Sequence, residues 1–119
     1  MLDEDGRVRL ISTGGNVTYL DEVLPTLSEE VTPLVSIMHT LTENIQPSLD
    51  ILKENWSGPM GIYAHSGKFT MPNWQFIDVI SPDDYAAEAQ KWVDQGVQVI
   101  GGCCGIGPEH IRVLKERFG

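Results

Sequence analysis

Positive charge and cysteine are both scarce in this sequence. Eight Lys and Arg residues stand against 17 Asp and Glu residues, which gives a formal net charge of −9. This balance argues against polyanionic partners such as nucleic acid, and against an anionic membrane surface. A run of about 18 apolar residues, which a membrane-spanning helix requires, does not occur in the sequence. We therefore expect neither a nucleic-acid partner nor a membrane partner.

The sequence also lacks the marks of a secretory leader. Residues Met1–Asp5 carry neither the basic nor the apolar region of a signal peptide. We therefore expect a cytoplasmic location, where thiols stay reduced. The only two cysteines, Cys103 and Cys104, are adjacent, and in that compartment metal binding is favoured over a disulfide.

Length and composition bound the fold. The chain has 119 residues, of which 41% are hydrophobic, so it is expected to form a single domain, residues 1–119, with a modest core.

The cysteine pair lies in the stretch around which the sequence is organised. The apolar run Val97–Ile100 ends on two glycines, the cysteines follow, and Pro108 then occupies a favourable first position for a helix. The cysteines are thus predicted to lie on a loop between a strand and a helix, the place where parallel α/β folds build active sites.

Two neighbouring thiols are difficult to join to each other without distorting the peptide between them. Zinc favours thiolate ligands, and it could take both sulfurs with at least one further protein ligand and a fourth position open for substrate. The alternative is that Cys103 and Cys104 are small buried residues without chemistry.

The rest of the chain alternates between apolar runs and helical patterns. This alternation predicts an α/β fold with parallel strands, and three strands alone would leave two sheet edges open. The pattern gives no assignment for residues 69–80. The predicted strands cover residues 33–38, 60–64 and 97–100, and the helices that follow begin near Asn44, at Ser81–Pro82 and at Pro108.

An additional helix is predicted near the beginning of the chain. Apolar residues recur at helical spacing over 20–27, with Thr18 as the N-cap. Pro25 is unfavourable inside such a helix, so the alternatives are a kink or a later start with Asp21 as the cap.

The motif Gly-Gly-Cys-Cys-Gly at 101–105, followed by Pro-Glu-His-Ile at 108–111, resembles the C-terminal signature of the homocysteine S-methyltransferase family. The resemblance implies a (β/α)8 barrel in which the two adjacent cysteines bind zinc together with a third cysteine at the end of the sixth strand. Because such a barrel needs about 250 residues, the resemblance implies that this chain is the C-terminal portion of a TIM barrel, with about three parallel βα units.

The resemblance places His39 at the position of the third ligand cysteine. Histidine is a good zinc ligand, and a Cys2His set with an open fourth position is an accepted catalytic arrangement. The implied metal ligands are therefore His39, Cys103 and Cys104. The alternative is a histidine at a strand end that makes an ordinary hydrogen bond.

The segment Tyr63–Gly67 stands where the family has a Tyr-Pro-Asn-Ser-Gly motif after its seventh strand. The resemblance implies that Tyr63, His65 and Ser66 contact substrate, with His65 alternatively beside the metal ligands or facing water. The alternative, which the burial habits of aromatic residues favour, is that Tyr63 is a packing residue. His110, in the first turn of the last helix, is expected to be structural.

The function implied by the resemblance is zinc-dependent methyl transfer. The thiolate of homocysteine, or of a similar thiol, would accept a methyl group from a small donor, giving methionine. In the family, the residues that bind the amino-acid end of homocysteine and determine the methyl donor lie mostly in the first half of the barrel. The isolated chain is therefore expected to be inactive. The alternative is an inactive or split-subunit zinc-binding fragment that needs a complementing N-terminal barrel half, or that forms a homo-oligomer.

Overall fold

The computed structural model describes residues 6–10, 17–28, 30–70, 75–77 and 79–119, and of residues 68–70 and 75–77 it describes the backbone. The order of the elements is α1 (Leu20–Val23), a 3-10 helix (Leu24–Thr26), β1 (Val35–Leu41), a 3-10 helix (Thr42–Asn44), α2 (Ile45–Asn55), β2 (Met60–His65), β3 (Lys68–Thr70), β4 (Gln75–Ile77), α3 (Pro82–Asp94), β5 (Val99–Ile100) and α4 (Pro108–Phe118).

Three strands form one parallel sheet in the order β1-β2-β5. Val35 of β1 is aligned with Met60 of β2, and Gly61 of β2 is aligned with Val99 of β5. The α/β class and the parallel strands predicted from the sequence are thereby confirmed. Because the strands are parallel, their carboxyl ends meet at one edge of the sheet, and the loops that follow them lie close together.

The helix starts follow from capping residues. Ser81 caps α3, since its side chain accepts a hydrogen bond of 3.1 Å from the Asp84 N–H, and Pro82 occupies the first helical position. Helix α2 begins directly after Asn44, which leaves Pro47 in the first turn, where no helical N–H is needed. Both starts agree with the sequence-based predictions.

Pro25 changes the first helix more than the sequence indicated. The α-helical part ends at Val23, and the chain continues as a 3-10 helix over Leu24–Thr26. Proline has no N–H and its ring clashes with the carbonyl four residues earlier, so the tighter 3-10 turn replaces the kink. The predicted caps, Thr18 and Asp21, were both wrong, because Tyr19 is the N-cap.

The segment that the sequence left unassigned contains a hairpin. Strands β3 and β4 pair in antiparallel fashion, with the backbone of Lys68 opposite Ile77. They form a separate two-stranded sheet, which lies between β2 and α3 in the order of the chain. Residues 71–74 and 78 of this segment lie outside the described residues.

The core lies between the parallel sheet and its helices. Ile62 and Ala64 of β2 are fully buried, which is expected for the central strand of a parallel sheet. The helices cover them with buried side chains of α2 and α3, namely Ile45, Leu49, Leu52, Tyr85, Ala86, Ala89 and Trp92. None of the helices in the described part of the chain is long and apolar enough to cross a membrane.

Candidate metal centre

Three potential metal-ligating side chains meet at the carboxyl edge of the parallel sheet. The Nδ1 atom of His39 lies 3.7 Å from the Sγ atom of Cys103 and 4.0 Å from that of Cys104. The two sulfur atoms are 3.8 Å apart. Both thiols are free and half-buried, whereas His39 is exposed.

These separations can be compared with those that a tetrahedral zinc ion imposes on its ligands. With Zn–S distances of about 2.3 Å and a Zn–N distance of about 2.0–2.1 Å, two sulfurs stand about 3.8 Å apart, and a sulfur and a nitrogen about 3.6 Å apart. The observed distances of 3.8, 3.7 and 4.0 Å therefore fit three corners of a tetrahedron with small adjustments. The donor set, two sulfurs and one imidazole nitrogen, is one that zinc accepts.

A bulge in β1 accompanies the position of His39. Met38 is aligned with Tyr63 and Leu41 with His65, so that three steps along β1 correspond to two along β2. His39 lies in this irregularity and has a φ of +51°, in the left-handed region that disfavours side chains other than glycine. Bulges re-aim side chains, and here the re-aimed side chain is the imidazole beside the two thiols.

The loop that contains both cysteines, residues 101–107, is called here the cysteine loop. It begins as a continuation of β5 along the end of β2. Backbone hydrogen bonds extend the pairing of these two strands past Ile100 and fix the backbone of both cysteines against the neighbouring strand. These bonds run from Gly101 N–H to the Ile62 carbonyl (2.9 Å), from Cys103 N–H to the Ala64 carbonyl (2.9 Å) and from Ser66 N–H to the Cys104 carbonyl (3.0 Å).

A tight turn then reverses the chain. The Ile106 N–H donates to the Cys103 carbonyl at 3.2 Å, and Gly105, the third residue of this turn, has a φ of +77°. Glycine adopts this conformation without a steric penalty. The turn keeps both cysteines at its start, facing the end of β1.

Close packing explains the two glycines before the cysteines. A Cβ atom on Gly101 would overlap the ring of Tyr63, and one on Gly102 would overlap the side chain of Ile106. Tyr63 is half-buried, with its ring against the Gly101 backbone. This contact gives Tyr63 a packing role. The expected contact of Tyr63 with substrate stays a prediction.

Ser66 is buried, and its hydroxyl accepts a hydrogen bond of 2.8 Å from the Ile80 N–H. Together with the bond from its own N–H to the Cys104 carbonyl, this ties the end of β2 to the cysteine loop and to Ile80, the residue before the N-cap of α3. The substrate contact expected for Ser66 stays a prediction, since these bonds show a supporting contact with the loop.

His65 is the nearest additional imidazole. Its ring centroid lies 4.8 Å from that of His39, with the planes tilted by 46°. Burial, and then the charge of His39, lowers the pKa of His65 below its ordinary value. Its Nδ1 atom is buried and has no hydrogen-bond partner among the described residues, so an unpaired ring nitrogen lies close to the candidate ligand His39.

The surroundings of Cys104 favour the protonated form of its thiol when no metal is bound. A hydrogen bond with the Cys103 sulfur raises the pKa of Cys104, and burial acts in the same direction. Binding of a cation would release that proton, because a thiolate is the metal-ligating form.

His110 and Tyr85 support the loop from the helix layer. His110 accepts a hydrogen bond of 3.1 Å from the Gly107 N–H and makes a second bond of 2.7 Å with the Ile80 carbonyl. The expected structural role of His110 is thereby confirmed. Tyr85, fully buried on α3, donates to the Gly101 carbonyl at 2.7 Å, and burial raises its pKa to about 12.

The sequence-based predictions did not include a role for the hydroxyl of Tyr85. A buried tyrosine usually finds a partner for its hydroxyl, and that rule was the available signal.

Two cavities border the outer strands of the parallel sheet. One, of about 460 Å³, runs beside β1 and is lined by residues that include Val8, Leu20, Ile37 and Leu52. The other, of about 420 Å³, lies beside β5 between α3 and α4 and includes Val97. The first cavity is lined in part by His39 but by neither cysteine, and the second is lined by none of the three candidate ligands. Both cavities therefore lie at the edges of the sheet and not at the candidate metal site.

Comparison with known proteins identifies the family. The model of a family described as homocysteine S-methyltransferase matches residues 9–118. The chain is 33% identical over 67 residues to homocysteine S-methyltransferase YbgG of Bacillus subtilis (strain 168), an alignment that covers 56% of this chain and 21% of that protein. It is 33% identical over 65 residues to a selenocysteine Se-methyltransferase of Brassica oleracea var. italica, with 52% and 19% covered.

A third relative, homocysteine S-methyltransferase 2 of Arabidopsis thaliana, is 31% identical over 65 residues, with 52% of this chain and 20% of that protein covered. The aligned part of the chain thus spans about a fifth of the length of the curated relatives it matches.

Proposed function

Because the chain belongs to the homocysteine S-methyltransferase family, we propose that it is the metal-binding C-terminal part of a methyltransferase whose acceptor is homocysteine or a similar thiol. The observation that carries this proposal is the geometry of His39, Cys103 and Cys104. Their donor atoms, 3.7 to 4.0 Å apart, have the spacing of three ligands of one tetrahedral zinc ion.

In this proposal the three side chains leave one ligand position free for the acceptor thiol. When bound, zinc lowers the pKa of a coordinated thiol, so that a thiolate is available at neutral pH. The acceptor thiolate would then displace the donor at its methyl carbon. A sulfur–carbon bond forms as the bond between that carbon and the donor breaks, and the donor retains the electron pair.

The imidazole at position 39 alters the charge of the site. Two thiolates and a neutral imidazole compensate the two positive charges of zinc, whereas the three cysteines that the family resemblance implies would leave one negative charge. The acceptor sulfur would consequently be more acidic, and its thiolate less nucleophilic, than beside three thiolates. The alternative acceptor in this proposal is accordingly a thiol other than homocysteine.

Binding of a thiol to the metal tests this function without requiring turnover. The chain is loaded with Co²⁺, whose absorption reports thiolate ligands, and titrated with homocysteine, with methionine as the matched ligand that lacks a thiol. We expect an additional thiolate-to-cobalt band with homocysteine alone. Identical spectra with both ligands, or no cobalt bound at all, would contradict the proposal.

We further propose that the remainder of a (β/α)8 barrel covers both edges of the sheet. Among the described residues, β1 and β5 each pair only with β2, and a cavity lined largely by apolar side chains runs beside each of these outer strands. The aligned part of the chain also spans only about a fifth of the length of its relatives. The domain of residues 1–119 would then be part of a longer barrel or would assemble with a separate N-terminal half.

Measurement of the molecular mass in solution separates the alternatives. A chain that remains monomeric alone and forms a one-to-one complex with an N-terminal barrel half, encoded by a neighbouring gene, would support complementation. A stable homo-oligomer that does not bind such a half would contradict complementation. We expect no methyl transfer by the chain alone, because the residues expected to bind homocysteine and the methyl donor lie in the first half of the barrel.

A further inference from the structure

Two buried aromatic side chains from different helices hold the two ends of the cysteine loop. At the start of the loop, the Tyr85 hydroxyl donates to the Gly101 carbonyl at 2.7 Å. At its end, the Gly107 N–H donates to Nδ1 of His110 at 3.1 Å. Tyr85 is fully buried and His110 is 6% exposed, so both bonds are shielded from competition with water.

The two side chains also contact each other. Their ring centroids are 5.9 Å apart and their planes meet at 84°, an edge-to-face arrangement that aromatic pairs favour. Helices α3 and α4 are therefore joined at the point where they hold the loop.

A second connection ties His110 to the end of β2. Because Nδ1 accepts from Gly107, the proton of a neutral ring resides on Nε2, which then donates to the Ile80 carbonyl at 2.7 Å. The N–H of Ile80 donates in turn to the hydroxyl of Ser66 at 2.8 Å. The end of the loop, α4 and the residue that follows β2 are thus linked by one series of hydrogen bonds.

We propose that Tyr85 and His110 are positioning residues of the metal centre, which fix the cysteine loop so that both thiols face His39 before a metal binds. This inference rests on the proposed function. Ligands held in place by surrounding hydrogen bonds lose less freedom on binding, and the loss of such a supporting bond typically lowers metal affinity about 10–100-fold.

The first test is the substitution Tyr85→Phe, which removes one oxygen and keeps the buried ring. Zinc affinity is measured by competition with a chromophoric chelator, and ligand geometry by the absorption of the Co²⁺ form. We expect about a 10–100-fold loss of affinity and a changed cobalt spectrum. Ile45→Val is the control, because it removes a buried methyl group from α2, which packs against α1 and β1.

The second test uses His110 and includes a rescue. His110→Ala removes the acceptor for the Gly107 N–H, whereas His110→Gln places at the third helical position a side chain that can reach back to the cap N–H. We expect His110→Ala to weaken zinc binding and His110→Gln to restore part of it. This pair also decides the matter if Tyr85→Phe fails to fold.

The outcomes distinguish the inference from the function beneath it. If the unaltered chain binds zinc and Tyr85→Phe and His110→Ala bind it equally well, the positioning role is wrong while the proposed function stands. An equal loss of affinity in Ile45→Val would also overturn the positioning role, since the effect would then be general destabilisation. If the unaltered chain binds no zinc, both fall.

Discussion

The imidazole of His39 and the thiol of Cys103, 64 positions apart in the sequence, meet with 3.7 Å between Nδ1 and Sγ. Their strands are not neighbours, because β2 lies between β1 and β5. Strands in a sheet are about 4.8 Å apart, so the two backbones are separated by about twice that distance. The bulge of β1 and the turn of the cysteine loop bring the side chains together across the end of β2.

The backbone at residue 39 gives a prediction that separates stability from metal binding. A residue other than glycine in the left-handed region costs about 1–2 kcal/mol, and His39 has a φ of +51°. In the metal-free chain, His39→Gly should therefore have a free energy of unfolding about 1 kcal/mol higher than that of His39→Ala, as measured by urea denaturation. Both variants should lose zinc affinity.

The glycine variant thus tests whether strain at this position serves the site. Equal stability of His39→Gly and His39→Ala would show that the left-handed conformation is absent in solution. Unchanged zinc affinity in both variants would remove His39 from the ligand set.

Restoring a thiolate at the same position should strengthen the metal site. His39→Cys gives zinc three thiolates, the set that the family resemblance implies, and the site gains one negative charge. We expect tighter zinc binding and a stronger thiolate-to-metal band in the Co²⁺ form. Binding weaker than that of His39→Ala would contradict the location of this residue beside the thiols.

The close approach of Gly101 to Tyr63 predicts intolerance of any side chain. Gly101→Ala would force its methyl group into the Tyr63 ring, and overpacking of this kind typically costs about 1–3 kcal/mol. Gly107→Ser is the matched control, because its Cβ atom would meet nothing closer than the Glu109 carboxylate at 3.7 Å. Serine is also a favoured N-cap residue, so the control should be neutral or stabilising in thermal denaturation.

The pH dependence of stability should contain a contribution from His65. Burial lowers the pKa of this residue in the folded chain, so the unfolded chain binds the proton more readily. The free energy of unfolding should therefore fall as the pH drops below about 6.5, the ordinary histidine value. His65→Asn should reduce this fall, and a pH profile identical to that of the unaltered metal-free chain would contradict the assignment.

The repeating architecture could be predicted because its signals are local. Ser81 and Pro82 mark the start of α3, and the apolar run before the cysteines marks a parallel strand with a loop behind it. The placement of both cysteines at a strand-to-helix junction followed directly. Periodicity and capping depend on residues a few positions apart, and such patterns are visible in a single sequence.

The features that depend on distant contacts could not be predicted in the same way. Nothing in the residues around His39 indicates a bulge, because the irregularity is defined by the register against β2. The bond from Tyr85 to the Gly101 carbonyl joins residues 16 positions apart, and only the packing of α3 on the sheet brings them together. The 3-10 helix that contains Pro25 could not be predicted for a local reason. Proline at this position was compatible with a kink or with a later helix start, and the structure has neither.

The central claim is that His39, Cys103 and Cys104 bind one metal ion, and its most direct test is the zinc content of the purified chain and of Cys103→Ser after equilibration with a small excess of zinc and removal of unbound metal. The account predicts about one zinc ion per unaltered chain and a severe loss in Cys103→Ser, with the folded content of both confirmed by circular dichroism. Equal zinc content in the two proteins, or none in either, would contradict it.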